Sequence, residues 1–234
     1  MFEVKFFELE EVYMRVGEAP GVDLVRYLIW IAFSVATLGI KNYAANAKGL
    51  NDILVVIFFI VGIFTLALMI RRFNHERSSF AEPRKKFLSS LVNNIGFITL
   101  MFVLIVVLRM MISYLQVNGK LPKFQNDDVA GSNQKVFIFN LIANVFVISV
   151  QQQLVQTGFF FNYFFRKSTP ASAIGGIVIS GLIAGAITLP GSLLQFFMNM
   201  FFGFCFALTY LYTQDEKMPV FLGMVSALIG TIMI

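Results

Sequence analysis

The sequence predicts an all-α protein, a polytopic membrane helix bundle with about seven membrane segments. Of its 234 residues, 58% are hydrophobic and 13% are charged, and the mean hydropathy is +0.78. A soluble domain carries roughly 25% charged residues. The hydrophobic residues also form runs near the length that crosses a bilayer. These observations predict a multi-pass protein of a cell membrane, and the richness in Phe, Asn and Ile favours a bacterial plasma membrane.

Seven hydrophobic segments carry this prediction. They lie at about 24–40, 53–70, 91–115, 136–158, 171–189, 192–213 and 218–234. The loop after the second segment is rich in Arg and Lys, and cytoplasmic loops carry an excess of these residues. We therefore expect this loop and the N-terminus to be cytoplasmic. The connection at Pro190–Gly191 is so short that its flanking segments should form a tight antiparallel pair, unless one of them is re-entrant.

Residues 1–22 are predicted to form an amphipathic helix that lies at the cytoplasmic interface, ahead of a membrane domain at 23–234. The apolar stripe of this helix consists of Phe2, Phe6, Leu9, Tyr13 and Val16. Its polar residues are mainly acidic, and anionic lipid headgroups would repel them. The helix is therefore expected either to fold against the basic 71–86 loop or to be held by its aromatic residues alone.

The membrane segments contain few residues that could act as catalytic groups. The sequence has one histidine, His75, in the basic loop, which excludes a histidine-based metal site or a histidine base for a serine nucleophile. No Asp or Glu occurs from Val129 to Gln214. General acid–base catalysis needs a group that exchanges protons near neutral pH, and amides do not. We therefore expect no metal or other cofactor, and the concentration of basic residues in one short loop between two apolar segments argues against nucleic acid as a partner.

The membrane segments do contain amides at helical spacing. They are Asn140, Asn144, Gln151, Gln152, Gln153 and Gln156 in the fourth segment and Gln195 and Asn199 in the sixth. The spacing of Asn140, Asn144 and Gln151 predicts that these three share one helical face. Polar residues in spanning helices usually face the bundle interior, where they bond to one another. The amides therefore predict either helix–helix contacts or a polar binding pocket.

Pairs of small residues recur at a spacing of four in the fifth and seventh segments. They are Gly176 with Ser180, Gly181 with Gly185, and Gly223 with Ala227. Such pairs allow helix backbones to approach closely in lipid. We expect them to pack within this chain rather than form a dimer interface.

The last hundred residues contain three motif-like stretches in a fixed order. The first is QQLVQTG, the second ISGLIAGAITLPG, and the third runs through the last segment as KMPVFLGMVSAL. Their order and spacing resemble the CPBP (or Abi) family of CAAX-protease and bacteriocin-processing membrane proteins. The resemblance covers roughly 140–234, and 136–234 is the predicted CPBP-like core. That family carries Glu-Glu-x-x-x-Arg-Gly, then Phe-x-x-x-His, then His-x-x-x-Asn/Asp.

Every catalytic position of that family is substituted in this chain. The degenerate motif positions are Gln152, Gln153, Thr157, Ala184, Thr188, Met224 and Leu228. A glutamine in place of glutamate keeps the shape and the hydrogen bonding but removes the proton acceptor. The resemblance therefore implies a pseudoprotease with no catalytic residues.

Three functions follow from these observations. The first is a non-catalytic scaffold, regulator or immunity factor that binds another integral membrane protein. The Phe-rich 159–165 stretch would then be an interfacial anchor or a contact surface, unless its aromatic rings only face lipid. The second is a small-solute transporter or channel whose amides line a polar path, with Arg109 reaching the outer membrane interface. The third is an active intramembrane protease that uses unrecognised groups. Beyond membrane lipid, the first function requires a membrane protein as partner.

Overall fold

A computed structural model describes residues 20–46, 49–78, 86–121, 134–165 and 169–232. Within these ranges the chain forms eight helices and one antiparallel pair of two-residue strands. The helices are α1 (Pro20–Ala44), α2 (Asp52–Ser78), α3 (Phe87–Asn93), α4 (Ile95–Val117), α5 (Gln134–Phe164), α6 (Pro170–Ile187), α7 (Leu193–Thr213) and α8 (Lys217–Ile232). The strands β1 (Ala45–Asn46) and β2 (Gly49–Leu50) connect α1 to α2.

Six of these helices are long and apolar enough to cross a membrane: α1, α2, α4, α5, α6 and α7. The seventh predicted segment is α8, an apolar helix of 16 residues. At 1.5 Å per residue it is about 24 Å long, somewhat shorter than the hydrocarbon core. The predicted all-α polytopic bundle is confirmed.

Several expectations fall outside the described residues. The predicted amphipathic helix occupies 1–22, of which 1–19 are not described, and the basic loop is not described at 79–85. The contact between the two stays a prediction, and so does the cytoplasmic N-terminus.

The α6–α7 pair forms the tightest helix contact that the glycines identify. A Cβ on Gly181 would lie 2.2 Å from the Phe204 ring and 2.9 Å from the Met200 carbonyl oxygen. A Cβ on Gly185 would lie 2.8 Å from the Phe196 ring. Contacts that move forward along α6 move backward along α7, so the two helices are antiparallel. The predicted packing of these glycines within the chain is confirmed.

The turn between α6 and α7 corrects the role predicted for Gln195. Leu189 adopts a left-handed backbone conformation (φ 50°), which reverses the chain within a few residues. Ser192 then caps α7, and its Oγ accepts from the Gln195 N–H at 3.2 Å. The Gln195 Oε1 accepts from the Gly191 N–H at 2.8 Å. Gln195 therefore closes a capping interaction at the start of α7, a role that its spacing from Asn199 did not predict.

The Phe-rich end of α5 is packed inside the bundle, so the predicted interfacial anchor or lipid-facing surface is wrong for most of it. Phe159, Phe160, Phe161 and Tyr163 are buried. The Phe159 ring stacks on Trp30 of α1 with centroids 5.2 Å apart. These rings are buried because α1, α2, α6 and α7 surround the end of α5, a consequence of helix placement that composition does not reveal.

Arg109 also departs from its predicted position at the outer interface. Its Nε and Nη2 atoms donate to the Ser226 hydroxyl of α8 at 3.2 and 3.0 Å. Its guanidinium lies 4.6 Å from the centroid of the Phe202 ring in α7. A Cβ on Gly230 would lie within 2.8 Å of the Arg109 Cζ, so the missing side chain leaves room for the guanidinium. Arg109 joins three helices instead of extending into lipid headgroups.

Candidate functional site

The helix that carries the first motif, α5, is wound irregularly. Two π-helical segments, Ala143–Ile148 and Leu154–Phe159, flank the α-helical segment Ser149–Gln153. A π-helix bonds each residue to the fifth along the chain and therefore turns less per residue than an α-helix. Such segments often occur at functional sites. Here they change which neighbouring helix each amide faces.

The predicted shared face of Asn140, Asn144 and Gln151 is wrong for this reason. The Asn144 Nδ2 donates to the Thr231 hydroxyl of α8 at 3.4 Å. The Gln151 Nε2 donates to the Gly62 carbonyl oxygen of α2 at 2.9 Å. The π-helical segment between these two amides rotates them toward different helices. Asn140 is buried nearer the start of α5.

The two motif glutamines lie in different environments. Gln153 is 3% exposed and packs so tightly on α8 that a Cβ on Gly223 would lie 2.6 Å from its Cγ. Its Oε1 has no hydrogen-bond donor among the described residues. Gln152 beside it is only half-buried. Of the two glutamines predicted to stand at the Glu-Glu motif, Gln153 is thus enclosed by α8 and Gln152 lies on a more open face.

Thr157 and Gln156 complete the motif segment. Thr157, which is predicted to stand at the motif arginine, is fully buried and donates its hydroxyl to the Gln153 carbonyl oxygen at 2.6 Å. The Gln156 side chain is buried, and its backbone carbonyl accepts from the Ser180 hydroxyl of α6 at 2.7 Å. Ser180 therefore packs within this chain, as predicted, and ties α6 to the π-helical part of α5.

The second motif pair, Ala184 and Thr188, faces α7. Ala184 is buried, and its Cβ would lie 2.5 Å from a Cβ on Gly203. Thr188 donates its hydroxyl to the Gly185 carbonyl at 2.9 Å and accepts from the Asn199 Nδ2 at 2.8 Å. Asn199 therefore makes a helix–helix contact, one of the two roles predicted for it.

The residues of the last motif pair, Met224 and Leu228, differ in how deeply they lie in the bundle. Met224 is half-buried and follows Gly223, the residue that contacts Gln153. Leu228 is 37% exposed. The structure thus brings the Gln153 and Met224 segments together, whereas Leu228 faces outward.

Several polar side chains surround the buried carboxylate of Glu76 near the C-terminal end of α5. The sequence did not predict this cluster. Glu76 was placed in the basic loop, yet it ends the spanning part of α2 and is 5% exposed. Its Oε1 lies 2.6 Å from the Arg72 Nε and accepts from the Tyr163 hydroxyl at 3.0 Å. The Trp30 Nε1 donates to that hydroxyl at 3.4 Å. The i, i+4 spacing of Arg72 and Glu76 was a signal for the pair, but nothing local indicated Tyr163 or Trp30.

The arrangement supplies hydrogen bonds and packing at the motif positions. Within the described ranges, no three His, Cys, Asp or Glu side chains converge as metal ligands would. Amide and hydroxyl groups at these positions can orient a bound segment or join helices.

The Thr188–Asn199 hydrogen bond can be measured with a double-mutant cycle. We expect Thr188→Val and Asn199→Leu to be coupled by about 0.6–1.7 kcal/mol, the range found for hydrogen bonds between membrane helices. Unfolding of the wild type, both single variants and the double variant in mild detergent gives this coupling energy. Strictly additive effects would mean that the two side chains do not bond.

The helices and the motif segments define the chain as a multi-pass helical membrane protein with the motif order of a membrane protease. Residues 134–229 match the profile of the family described as "Rce1-like: Type II CAAX prenyl endopeptidase Rce1-like". This match confirms the predicted resemblance of the C-terminal part of the chain to the CPBP family. No curated protein and no solved structure matches the chain.

Proposed function

We propose that this protein is a non-catalytic member of its membrane-protease family that binds another integral membrane protein as a scaffold, regulator or immunity factor. The observation that carries the proposal is the state of the motif positions. Amide, hydroxyl and apolar side chains replace the family's glutamates, arginine and histidines. None of these groups exchanges protons near neutral pH. We place the protein in a bacterial plasma membrane.

The contacts of the substituted positions support this proposal. Gln153 is enclosed against Gly223, and the Thr188 hydroxyl is engaged by Asn199. A water-activating site would need these positions to converge on a shared space and present a base. Leu228 faces away from the bundle instead. The side chains at these positions serve packing and hydrogen bonding.

A transporter or channel has less support. That alternative needs the amides to line a continuous polar path. Gln151 instead donates to a backbone carbonyl of α2, Asn144 to Thr231 of α8, and Asn199 to Thr188. Because these amides form hydrogen bonds between helices, they favour a structural role and argue against a polar path for a solute.

Affinity isolation in mild detergent, followed by mass spectrometry, tests the proposal. We expect a stoichiometric membrane protein to co-purify with the wild type. Replacing the half-buried Gln152 with alanine should weaken that complex about 3- to 30-fold, which corresponds to one or two hydrogen bonds in a membrane. Asn93→Ala is the matched control, because Asn93 is an exposed amide on α3, outside the motif.

Two outcomes would contradict the proposal. Cleavage of a membrane peptide by the purified protein, abolished by Gln152→Ala, would make the chain an active protease. A monodisperse lone protein whose melting temperature shifts with a small solute would favour transport.

A further inference from the structure

An apolar cavity of about 490 Å³ lies between the first half of α1, the end of α5 and α6. Its walls include Leu24, Leu28, Phe164, Phe165, Gly175 and Ile179. Tyr27 and Ser172 are the residues with hydroxyl groups in its lining. None of the seven predicted motif positions is among its lining residues, and the proposed function makes no use of it.

The cavity opens onto the membrane-facing surface. Leu24, Leu28 and Ile179 on its rim are 47%, 53% and 50% exposed. Neighbouring apolar side chains on the same helices are also exposed, among them Val25, Ile174, Val178 and Leu182. In a spanning bundle such surfaces face hydrocarbon. The cavity is therefore continuous with the lipid-facing surface and accessible from the bilayer.

The cavity starts at one end of the bundle. Its lining begins at Leu24 near the start of α1, at Phe165 just after the end of α5 and at Ser172 near the start of α6, and it extends inward to Ile31 and Ile183. These helix ends lie on one side of the bundle, the side on which the basic-loop criterion puts the cytoplasm. The lipids nearest to the start of the cavity are therefore those of the cytoplasmic leaflet.

We propose that this cavity binds an acyl chain of a phospholipid from the cytoplasmic leaflet. The volume lies within the range of small-ligand sites, roughly 300–1,000 Å³. A helix is about 10–12 Å across, so a 15 Å length of a partner helix would need more than twice this volume. A single hydrocarbon chain is narrower and is supplied by the surrounding membrane. Burial of its methylene groups against apolar walls stabilises the complex.

Two adjacent glycines make the cavity testable. A Cβ on Gly175 would meet nothing within 4 Å, so a larger side chain there extends into open space. A Cβ on Gly176 would lie 2.9 Å from the Phe161 ring, so a substitution at that position would disturb packing. Gly175→Leu is therefore the variant that fills the cavity without a clash. Gly39→Leu is its matched control, because Gly39 is another spanning-helix glycine with open space around its Cβ, and it lies outside the cavity lining.

The single tryptophan of the chain provides the measurement. Trp30 lies on α1 between the lining residues Tyr27 and Ile31. We expect its fluorescence to be quenched in vesicles of dibrominated phosphatidylcholine relative to vesicles of the dioleoyl lipid. Gly175→Leu should lose the part of this quenching that comes from the bound chain, and Gly39→Leu should retain it. Ser172→Leu, which narrows the cavity from the edge of α6, should reproduce the loss.

Native mass spectrometry provides a second readout with the same variants. The wild type and Gly39→Leu should retain a phospholipid that Gly175→Leu and Ser172→Leu lack. Equal quenching and equal lipid retention in all four proteins would overturn the proposal. Unchanged quenching together with loss of a co-purifying membrane protein from Gly175→Leu would assign the cavity to that partner and also overturn it. Neither readout depends on whether the motif positions are catalytic, so this proposal can fail independently of the proposed function.

Discussion

Gly181→Leu is expected to disrupt the α6–α7 pair and to destabilise the protein by at least about 3 kcal/mol, the upper part of the range for overpacked interiors. A Cβ at this position would lie 2.2 Å from the Phe204 ring and 2.9 Å from a backbone carbonyl of α7. The ring can rotate away, but the carbonyl belongs to a regular helix and cannot move without separating the two helices. Thermal unfolding in mild detergent measures the loss.

Gly175→Leu is the control for this experiment, since it makes the same chemical change in the same helix. Its Cβ has no neighbour within 4 Å. Leucine also has a higher helix propensity than glycine, so this variant should melt near the wild-type temperature or slightly above it. If Gly181→Leu and Gly175→Leu melted at the same temperature, α6 and α7 would not be in the close contact described.

Gln153→Glu is expected to cost about 2–4 kcal/mol at neutral pH, because the change introduces a charge into an enclosed site with almost no change in shape. Gln153 is 3% exposed and packs against Gly223 of α8, and its Oε1 has no hydrogen-bond donor among the described residues. A protonated carboxyl resembles the amide, so the loss of stability should shrink as the pH falls. Melting temperatures of the variant and the wild type across a pH series measure this effect.

Gln152→Glu provides the matched control at the neighbouring motif position. Gln152 is half-buried, so a carboxylate there keeps part of its solvation and should cost less than at Gln153. The comparison also tests the proposed loss of catalysis. If Gln153→Glu were as stable as the wild type and gained cleavage of a membrane peptide, the site would still support a catalytic carboxylate and the proposal would fail.

Some contacts of the site could have been predicted more fully from local sequence. Ser192 and Gln195 are three apart at the start of a hydrophobic run, which is the pattern of a capping box. The same spacing logic predicted for Asn199 either a helix–helix contact or a place in a polar pocket, and its bond to Thr188 agrees with the first of these roles. Both contacts involve residues close to one turn, so the range of possible partners is small.

Other contacts depend on helix winding and placement and were not predictable. The π-helical segment Ala143–Ile148 separates Asn144 from Gln151, and no residue pattern marks where such a segment begins. Arg109 lies near Ser226 because α4 and α8 are neighbours, although 117 residues separate the two in sequence. The burial of Phe159 likewise depends on where α1 and α2 lie.

The sequence by itself determined the class of the protein and the chemistry of its motif positions. Hydrophobic runs of bilayer length require spanning helices, because backbone polar groups must be satisfied within the hydrocarbon. The side chains at the predicted motif positions carry no charge, whatever fold the chain adopts. Only the tertiary structure decided which amide meets which helix, that Glu76 lies buried beside Tyr163, and that an apolar cavity opens between α1 and α6. Each of these depends on the distance and rotation between helices that are far apart in the chain.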